Sequence, residues 1–284
     1  MEACGNKKME EKIKELKKIA KNIRINAFKA IANSGGGHFG GSLSVVEILT
    51  VLYFYAMNIN PDNPDDYNRD RLLLSKGHGG PTLYTTLAIK GFFPLAELKN
   101  LDQPLSNFPK HIDRLKLKGI EASTGALGQG LSIACGMAIS LKQQKRKNNV
   151  FIVFGDGELD SGQVWEAAMT ASKYKLDNII GIVDRNYLQI DGSTEEVMPL
   201  DPLEDKWASF GWNVFKADGH DIRSLMSAID SAKDKRNKPG IIIAKTIKGC
   251  GISFMQGKWE WHSGKLTKEQ YEACLLELED TNEV

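Results

Sequence analysis

An acidic residue and an amide residue stand thirty positions apart, each just after an apolar segment. Asp156 follows the segment 150–154, and Asn186 follows the segment 178–183. Carboxylate, amide and carbonyl oxygens are ligands that Mg²⁺ prefers, and phosphates and water usually complete its six positions. With the backbone carbonyl of Leu188 as a third oxygen, this spacing predicts a site for a divalent cation and a diphosphate. Oxygen ligands alone leave Ca²⁺ and Mn²⁺ open as alternatives to Mg²⁺.

Four of the five histidines stand in glycine-rich or loop-like segments, namely His38, His78, His111 and His262. An imidazole titrates near neutrality, so it can donate to a phosphate or move a proton during carbonyl chemistry. The fifth, His220, is assigned to a turn and a helix start, outside the site.

The elements that must position these residues alternate along the chain. Apolar segments predict strands at 71–75, 150–154, 178–183, 213–217 and 240–245. Helices are predicted at 10–33, 129–144, 163–174, 202–210, 221–235 and 267–279. This alternation predicts an α/β fold, a parallel sheet with helices on both faces. We expect a flexible N-terminus at 1–9 and one domain at 10–284.

Two further sequence patterns bear on the local structure. Ser44 with Glu47 three residues later forms a capping box, which predicts a helix start at Ser44. The turn 125–130 has the order GxxGxG rather than the dinucleotide order GxGxxG. Because it precedes a helix, it suits an anion or a cofactor ring packed against bare backbone.

Bulk composition excludes several classes of protein. The net charge is +1 with 26% charged residues, which favours neither nucleic acid nor a membrane surface as partner. The four cysteines are scattered, so neither a disulfide framework nor a zinc site is predicted, and a reducing cytoplasm fits best. The N-terminus lacks the apolar core of a signal peptide. We expect no apolar run near the ~20 residues that span a bilayer.

Taken together, these segments resemble the transketolase family over roughly residues 15–270. The glycine-aspartate-glycine run with Asn186 resembles its thiamine diphosphate signature. The segments 33–38, 75–78, 110–111 with 119–130, and 261–265 resemble its histidine and glycine elements. The resemblance implies the diphosphate-type thiamine diphosphate-binding fold, with catalytic roles for the four histidines. It also implies that His78 and His262 lie on the diphosphate side and that His38 and His111 lie on the substrate side. It implies cofactor contacts from His78, Gly125, Ala126, Leu127, Gly155, Asp156, Gly157, Glu158, Asn186 and His262.

In the family the cofactor-activating glutamate comes from a pyrimidine-binding domain, and we expect that domain to lie outside this chain. The resemblance therefore implies a split transketolase, in which a C-terminal subunit carries that domain and its glutamate. We expect an α2β2 assembly that passes a two-carbon glycolaldehyde unit from a ketose phosphate to an aldose phosphate. The resemblance also implies a cytoplasmic place in the pentose phosphate pathway. Ser161 stands where the family usually has a glutamate, which puts a proton relay between sites in doubt.

Two other functions remain open from the sequence. The chain could serve another thiamine diphosphate enzyme, such as a deoxyxylulose-phosphate synthase or a 2-oxo acid dehydrogenase. It could also be a non-catalytic subunit that binds the cofactor. The four histidines favour sugar chemistry over the first alternative, and the intact Asp156 and Asn186 argue against the second.

Overall fold

A computed structural model describes residues 2–280, with side chains from residue 7 onward. Five strands form one sheet in which every pairing is parallel, in the order β1-β2-β3-β5-β4. Their bounds are β1 Arg71–Leu74, β2 Val150–Gly155, β3 Ile179–Arg185, β4 Asn213–Asp218 and β5 Gly240–Lys245. All five predicted strands are confirmed to within two residues.

Ten α-helices are found among the described residues. They are α1 Glu2–Asn33, α2 Phe39–Leu43, α3 Val46–Val51, α4 Gly80–Lys90, α5 Gln129–Gln143, α6 Gly162–Lys173, α7 Thr194–Val197, α8 Leu203–Ser209, α9 Ile222–Asp234 and α10 Lys268–Asp280. A π-turn at Leu52–Ala56 and short 3-10 turns at Gly77–Gly79, Leu95–Asn100, Gly157–Asp160 and Trp259–His262 complete the regular structure. The first helix is longer than predicted, since it begins at Glu2 rather than near residue 10. Met1 and residues 281–284 lie outside the described part of the chain, and flexibility of 1–9 stays a prediction.

The sheet is buried on both faces. Along β2, Phe151 and Val153 join an apolar cluster with α1, α3 and α9, whereas Ile152 and Phe154 join a second cluster with α5 and α6. A strand covered on both sides needs apolar residues at successive positions, which is why the sequence shows continuous apolar runs there. The predicted α/β fold with helices on both faces is confirmed.

The predicted capping box at Ser44 is wrong. Ser44 follows the last residue of α2, and its hydroxyl donates to Asp184 Oδ2 at 2.6 Å. The Glu47 side chain is buried and forms an ion pair with Arg24 instead of turning back to the backbone. A buried carboxylate must find a compensating charge, and this need outweighs the smaller gain from a helix cap.

The segment Phe39–Ala56 corrects the expectation about apolar runs. Its 18 residues have a mean hydropathy of 1.5, enough by length and composition to cross a membrane. In this fold, however, 89% of the segment is buried, and it is divided between α2, α3 and the π-turn. It packs as a core segment against the first face of the sheet.

The carboxyl ends of the central strands bring the predicted metal ligands to one edge. β2 and β3 are neighbours, and Gly155 pairs with Asp184 in their register. Asp156 and Asn186 therefore leave adjacent strands side by side. β5 lies on the other side of β3, so the segment after Lys245 reaches the same edge.

Candidate functional site

One cleft at this edge collects nearly all of the predicted site residues. It is lined by the four predicted histidines and by Gly125, Leu127, Gly155, Asp156, Gly157, Glu158, Asn186 and Leu188. Of the predicted site residues, all within the described range, Ala126 alone does not line it. Gly41, Lys76, Gln189, Ile190, Asp191 and Lys248 also line the cleft, although the sequence analysis did not assign them.

Asp156 is held by backbone donors at the floor of the cleft. Its carboxylate accepts hydrogen bonds from the N–H of Gly157 at 2.9 Å and of Tyr187 at 2.6 Å. The Arg185 guanidinium lies 3.7 Å from the same carboxylate. Burial, reinforced by the nearby Asp184, nevertheless raises the pKa of Asp156 to about 6. A carboxylate whose charge is disfavoured in this way gains from a bound cation.

The two other predicted metal ligands lie on the turn that follows β3. Asn186 Oδ1 accepts the N–H of Leu188 at 3.2 Å, so its side chain is folded over this turn. The Leu188 carbonyl accepts from Lys248 Nζ at 3.0 Å. An ammonium group therefore sits on one predicted metal ligand. Within the described residues, no group of three histidine, cysteine or acidic side chains could hold a metal, so a cation here would rely on this mixed oxygen set.

The four histidines form one cluster. The His38 ring centroid lies 5.3 Å from that of His78, 5.5 Å from that of His111 and 5.4 Å from that of His262. His78 and His262 are 5.0 Å apart. The chain folds so that residues more than two hundred positions apart in sequence present their imidazoles to the same space.

Most of this cluster is neutral. Burial, aided by His111 and nearby lysines, lowers the pKa of His38 to about 4. Burial and Lys248 lower the pKa of His262 to about 3, and burial with Lys76 lowers that of His78 well below its usual value. A neutral imidazole has one N–H group that can donate a hydrogen bond and one lone pair that can accept a proton.

The cleft contains polar groups that could bind a ligand. His262 Nδ1 is buried and has no hydrogen-bond partner among the described residues. The Gly41 backbone lies so close to His78 that a Cβ at this position would stand 2.7 Å from His78 Nε2. Burial, with Lys76 nearby, lowers the pKa of Lys248 to about 8. A buried ring nitrogen without a partner, beside a buried ammonium, is suited to an anionic ligand such as a diphosphate when that nitrogen carries the ring proton.

Lys76 was not predicted as a site residue, and it stabilises the site through contacts with Asp184 and Gly41. Its ammonium forms an ion pair with Asp184 and donates to the Gly41 carbonyl at 2.8 Å. The contacts with Lys76, Ser44 and Thr246 outweigh burial and lower the pKa of Asp184. The signal was present in the sequence, since Lys76 and Lys248 both follow predicted strands at their carboxyl ends.

Glu158 lines the cleft, but its carboxylate serves the protein. It accepts from the Ser75 hydroxyl and from the N–H groups of Gly128, at 2.9 Å, and Gly155, at 3.3 Å. Burial raises its pKa despite these donors. The residue thereby joins the GxxGxG turn to the strand ends, which places Gly125 and Leu127 at the cleft. Asp160, near Ser161, accepts from Gln189 at 2.7 Å.

His220 lies outside the cleft, as predicted, but it is more than a turn residue. Its Nδ1 is 2.9 Å from Glu47 Oε2, and the N–H of Ile247 donates to its Nε2 at 2.8 Å. The ring therefore connects α3 to the segment after β5.

Comparison with known proteins identifies the family. The family model described as "Transketolase, thiamine diphosphate binding domain" matches residues 15–278. The chain is 48% identical over 271 residues to the 6-deoxy-6-sulfo-D-fructose transketolase subunit SqwG of a Clostridium species, covering 95% of this chain and 98% of that one. It is 44% identical over 267 residues to an apulose-4-phosphate transketolase subunit of Actinobacillus succinogenes, covering 94% and 96%.

Solved structures agree with this family. Transketolase from Leishmania mexicana superposes with a TM-score of 0.88 at 30% identity, and the match covers 93% of this chain and 41% of that one. Transketolase from Campylobacter jejuni superposes with a TM-score of 0.87 at 32% identity, covering 93% and 42%. The chain thus spans nearly the whole length of the separate subunits and less than half of these transketolases. It belongs to the transketolase family as a subunit that works with thiamine diphosphate, as its motifs predicted.

Proposed function

We propose that this chain supplies the diphosphate- and metal-binding half of a split transketolase that moves a two-carbon ketol unit from a ketose phosphate to an aldose phosphate. The observation that carries the proposal is the convergence of Asp156, Asn186 and Leu188 with four histidines in one cleft. The same cluster favours sugar chemistry over the other thiamine diphosphate reactions, because its neutral donors suit hydroxyl and carbonyl groups.

The residues in the cleft fit the implied cofactor. Asp156, Asn186 and the Leu188 carbonyl would hold Mg²⁺, with Ca²⁺ and Mn²⁺ as chemically similar alternatives, once the Lys248 ammonium leaves this carbonyl for the diphosphate. His78, the unpartnered Nδ1 of His262 and Lys248 would bind the diphosphate. Gly125 and Leu127 offer bare backbone and an apolar side chain for the cofactor rings. When bound, thiamine diphosphate supplies the carbon that adds to the ketose carbonyl and stabilises charge when the C2–C3 bond breaks.

The chain's own contribution is to orient the sugar and move protons. A ketose carbonyl needs a donor for its oxygen, and its C3 hydroxyl must lose a proton as the C2–C3 bond breaks. His38 and His111 face the cleft 5.5 Å apart. The neutral His38 can take the hydroxyl proton through its lone pair, while His111 donates to the carbonyl oxygen. When the acceptor aldose arrives, the same groups reverse these roles.

The relatives guide the choice of substrate. The Clostridium subunit is named for 6-deoxy-6-sulfo-D-fructose and the Actinobacillus subunit for apulose 4-phosphate. Both sugars end in an anionic group. We therefore propose that the substrates of this chain are ketoses that carry a terminal phosphate or sulfonate. This class is wider than the sugars of the pentose phosphate pathway.

The partner would be a second polypeptide that carries the pyrimidine-binding half and its glutamate. The named relatives that this chain spans almost completely are themselves subunits. An α2β2 assembly would give two such sites between chains. A cytoplasmic location is supported by Cys135, Cys250 and Cys274, which are free thiols buried in the fold.

The first test is calorimetric titration of thiamine diphosphate with Mg²⁺ into the chain, with and without its partner. The control is an Asp156→Ala variant with the same thermal stability. We expect binding that requires the metal and is lost in the variant. Binding that is unchanged by the substitution, or absent even with the partner, contradicts the assignment of the site.

The second test concerns turnover. A ketose phosphate labelled at C1 and C2 is mixed with an unlabelled aldose phosphate, and the label in the product ketose is measured. We expect transfer only when both chains are present. Transfer by this chain alone would reject the split arrangement.

A further inference from the structure

The fifth histidine, His220, belongs to a chain of hydrogen bonds that ends at the backbone of Ile247, the residue before Lys248. Arg24 in α1 binds the Glu47 carboxylate and donates to the Cys250 carbonyl at 2.8 Å. Glu47 Oε2 lies 2.9 Å from His220 Nδ1. The N–H of Ile247 then donates to His220 Nε2 at 2.8 Å. Arg24 and Glu47 are almost fully buried, so neither can turn to solvent instead.

The hydrogen bond from Ile247 determines which protonation state of the His220 ring is compatible with these contacts. The Glu47 carboxylate, 2.9 Å from Nδ1, favours a proton on that nitrogen. A proton on Nε2 as well would face the N–H of Ile247 at 2.8 Å, and two donors repel. The observed geometry therefore holds the ring neutral, with its proton on Nδ1 and donated to Glu47.

The segment held by His220 leads directly into the cleft. Thr246 N donates to the Arg185 carbonyl at 3.0 Å, and Gly249 N donates to the Gly40 carbonyl at 3.0 Å. Between these two anchors, the Ile247 side chain is 43% exposed, so apolar packing does little to fix it. The Ile247 N–H is held by His220, and its carbonyl accepts from the N–H of Cys250 at 3.2 Å.

Lys248 comes next, and its ammonium points into the cleft. It donates to the Leu188 carbonyl at 3.0 Å and to the Gln189 carbonyl at 3.1 Å. The Lys248 carbonyl accepts from the N–H of Gly257 at 3.0 Å. The contact with His220 fixes the Thr246–Ile247 peptide, one residue before Lys248, and so helps to set the backbone from which this side chain extends.

We propose that His220 is a positioning residue for diphosphate binding, which fixes the Thr246–Ile247 peptide and so helps to direct the Lys248 ammonium into the cleft. The inference rests on the proposed function, because it takes Lys248 as a diphosphate-binding group. His220 touches neither cofactor nor substrate and acts through Lys248. Its anchor is the Arg24–Glu47 pair.

The test compares two substitutions at His220. His220→Gln keeps one donor and one acceptor, whereas His220→Leu removes both. Binding of thiamine diphosphate with Mg²⁺ is measured by calorimetry on the full chain, with the partner present if binding requires it. We expect the leucine variant to bind about tenfold more weakly, as for the loss of one well-placed hydrogen bond, and the glutamine variant to recover most of this loss.

A double-mutant cycle with Lys248→Met separates positioning from general destabilisation. If His220 acts through Lys248, His220→Leu weakens binding by less than about twofold once Lys248 is already methionine. An equal, additive loss in both backgrounds overturns the proposal, as does unchanged binding in the leucine variant. Should that variant not fold, His220→Asn replaces it, because the shorter side chain cannot span Glu47 and Ile247.

Hydrogen exchange tests the hydrogen bond between Ile247 and His220 without the cofactor. Amide exchange over residues 246–249 should be faster in the leucine variant and near the wild-type rate in the glutamine variant. Unchanged exchange in the leucine variant overturns the proposal. If the wild-type chain takes up no thiamine diphosphate even with its partner, the proposed function fails, whereas this exchange result still reports on that hydrogen bond.

Discussion

Replacement of Lys76 by methionine is expected to destabilise the chain by an amount that depends strongly on pH. The side chains of Lys76 and Asp184 are 1% and 0% exposed, so the substitution leaves a buried carboxylate without its cation. Breaking such a pair typically costs about 3–5 kcal/mol. Asp184 keeps its hydrogen bonds from Ser44 and Thr246, which places the expected cost at the lower end, about 3 kcal/mol at pH 7.

The effect depends on pH because the Asp184 carboxylate, once unpaired, can take up a proton. Protonating an ordinary aspartate costs about 1.4 kcal/mol per pH unit above its pKa near 3.9, hence about 4 kcal/mol at pH 7 and about 1 kcal/mol at pH 4.5. Because Asp184 can take up a proton instead of staying charged, these values are the upper limit of the free-energy cost of its unpaired charge in the variant at each pH. In the wild type the contact with Lys76 lowers the pKa of Asp184, so its carboxylate stays charged at both pH values. The deficit should therefore shrink by roughly 2–3 kcal/mol on going from pH 7 to pH 4.5.

The assay is urea unfolding followed by tryptophan fluorescence, with the variant compared with the wild type at each pH. Lys118→Met is the matched control, because its ion pair with Asp65 is 3.1 Å long but the two side chains are 74% and 78% exposed. That substitution should cost less than about 0.5 kcal/mol at either pH. Adding Asp184→Asn to Lys76→Met should recover most of the deficit. A small deficit that is equal at both pH values would refute the reasoning.

Two further predictions concern the cleft. Below pH 6.5 the chain should lose stability, because unfolded histidines bind protons there whereas His38 and His262, with pKa values lowered to about 4 and 3, do not. With a discount for solvent, the loss is on the order of 1–2 kcal/mol for each ring at pH 4.5. Unfolding titrations should show a shallower slope in His38→Gln, and an unchanged slope would count against the lowered pKa. Gly41→Ala places a Cβ 2.7 Å from His78 Nε2, so it should displace that ring. Calorimetry should then show thiamine diphosphate binding at least about tenfold weaker, with only about 1–3 kcal/mol lost in unfolding, and wild-type affinity would exclude this contact.

The sequence by itself determined the sheet, the motif and the family. Successive apolar positions in segments such as 150–154 can only be satisfied by burial on both faces, so strands and their alternation with helices could be predicted. Asp156 and Asn186 follow adjacent strands of that sheet, and parallel strands end at the same edge. Their meeting in one cleft is therefore a consequence of local pattern and topology.

Tertiary structure alone decided which charged groups support the site. Ser44 and Glu47 have the spacing of a helix cap, yet their partners are Asp184 and Arg24, which lie far away in the sequence. Lys76 had a position that suggested function, but its buried partner and the carbonyl it donates to were set by the fold, which brings the segment after β1 close to α2 and to the end of β3. Local spacing encodes hydrogen bonds within a turn or helix, whereas a buried charge takes whichever partner the fold brings within reach. The roles of Glu47, Lys76 and His220 depend on such long-range partners, and only the folded chain reveals them.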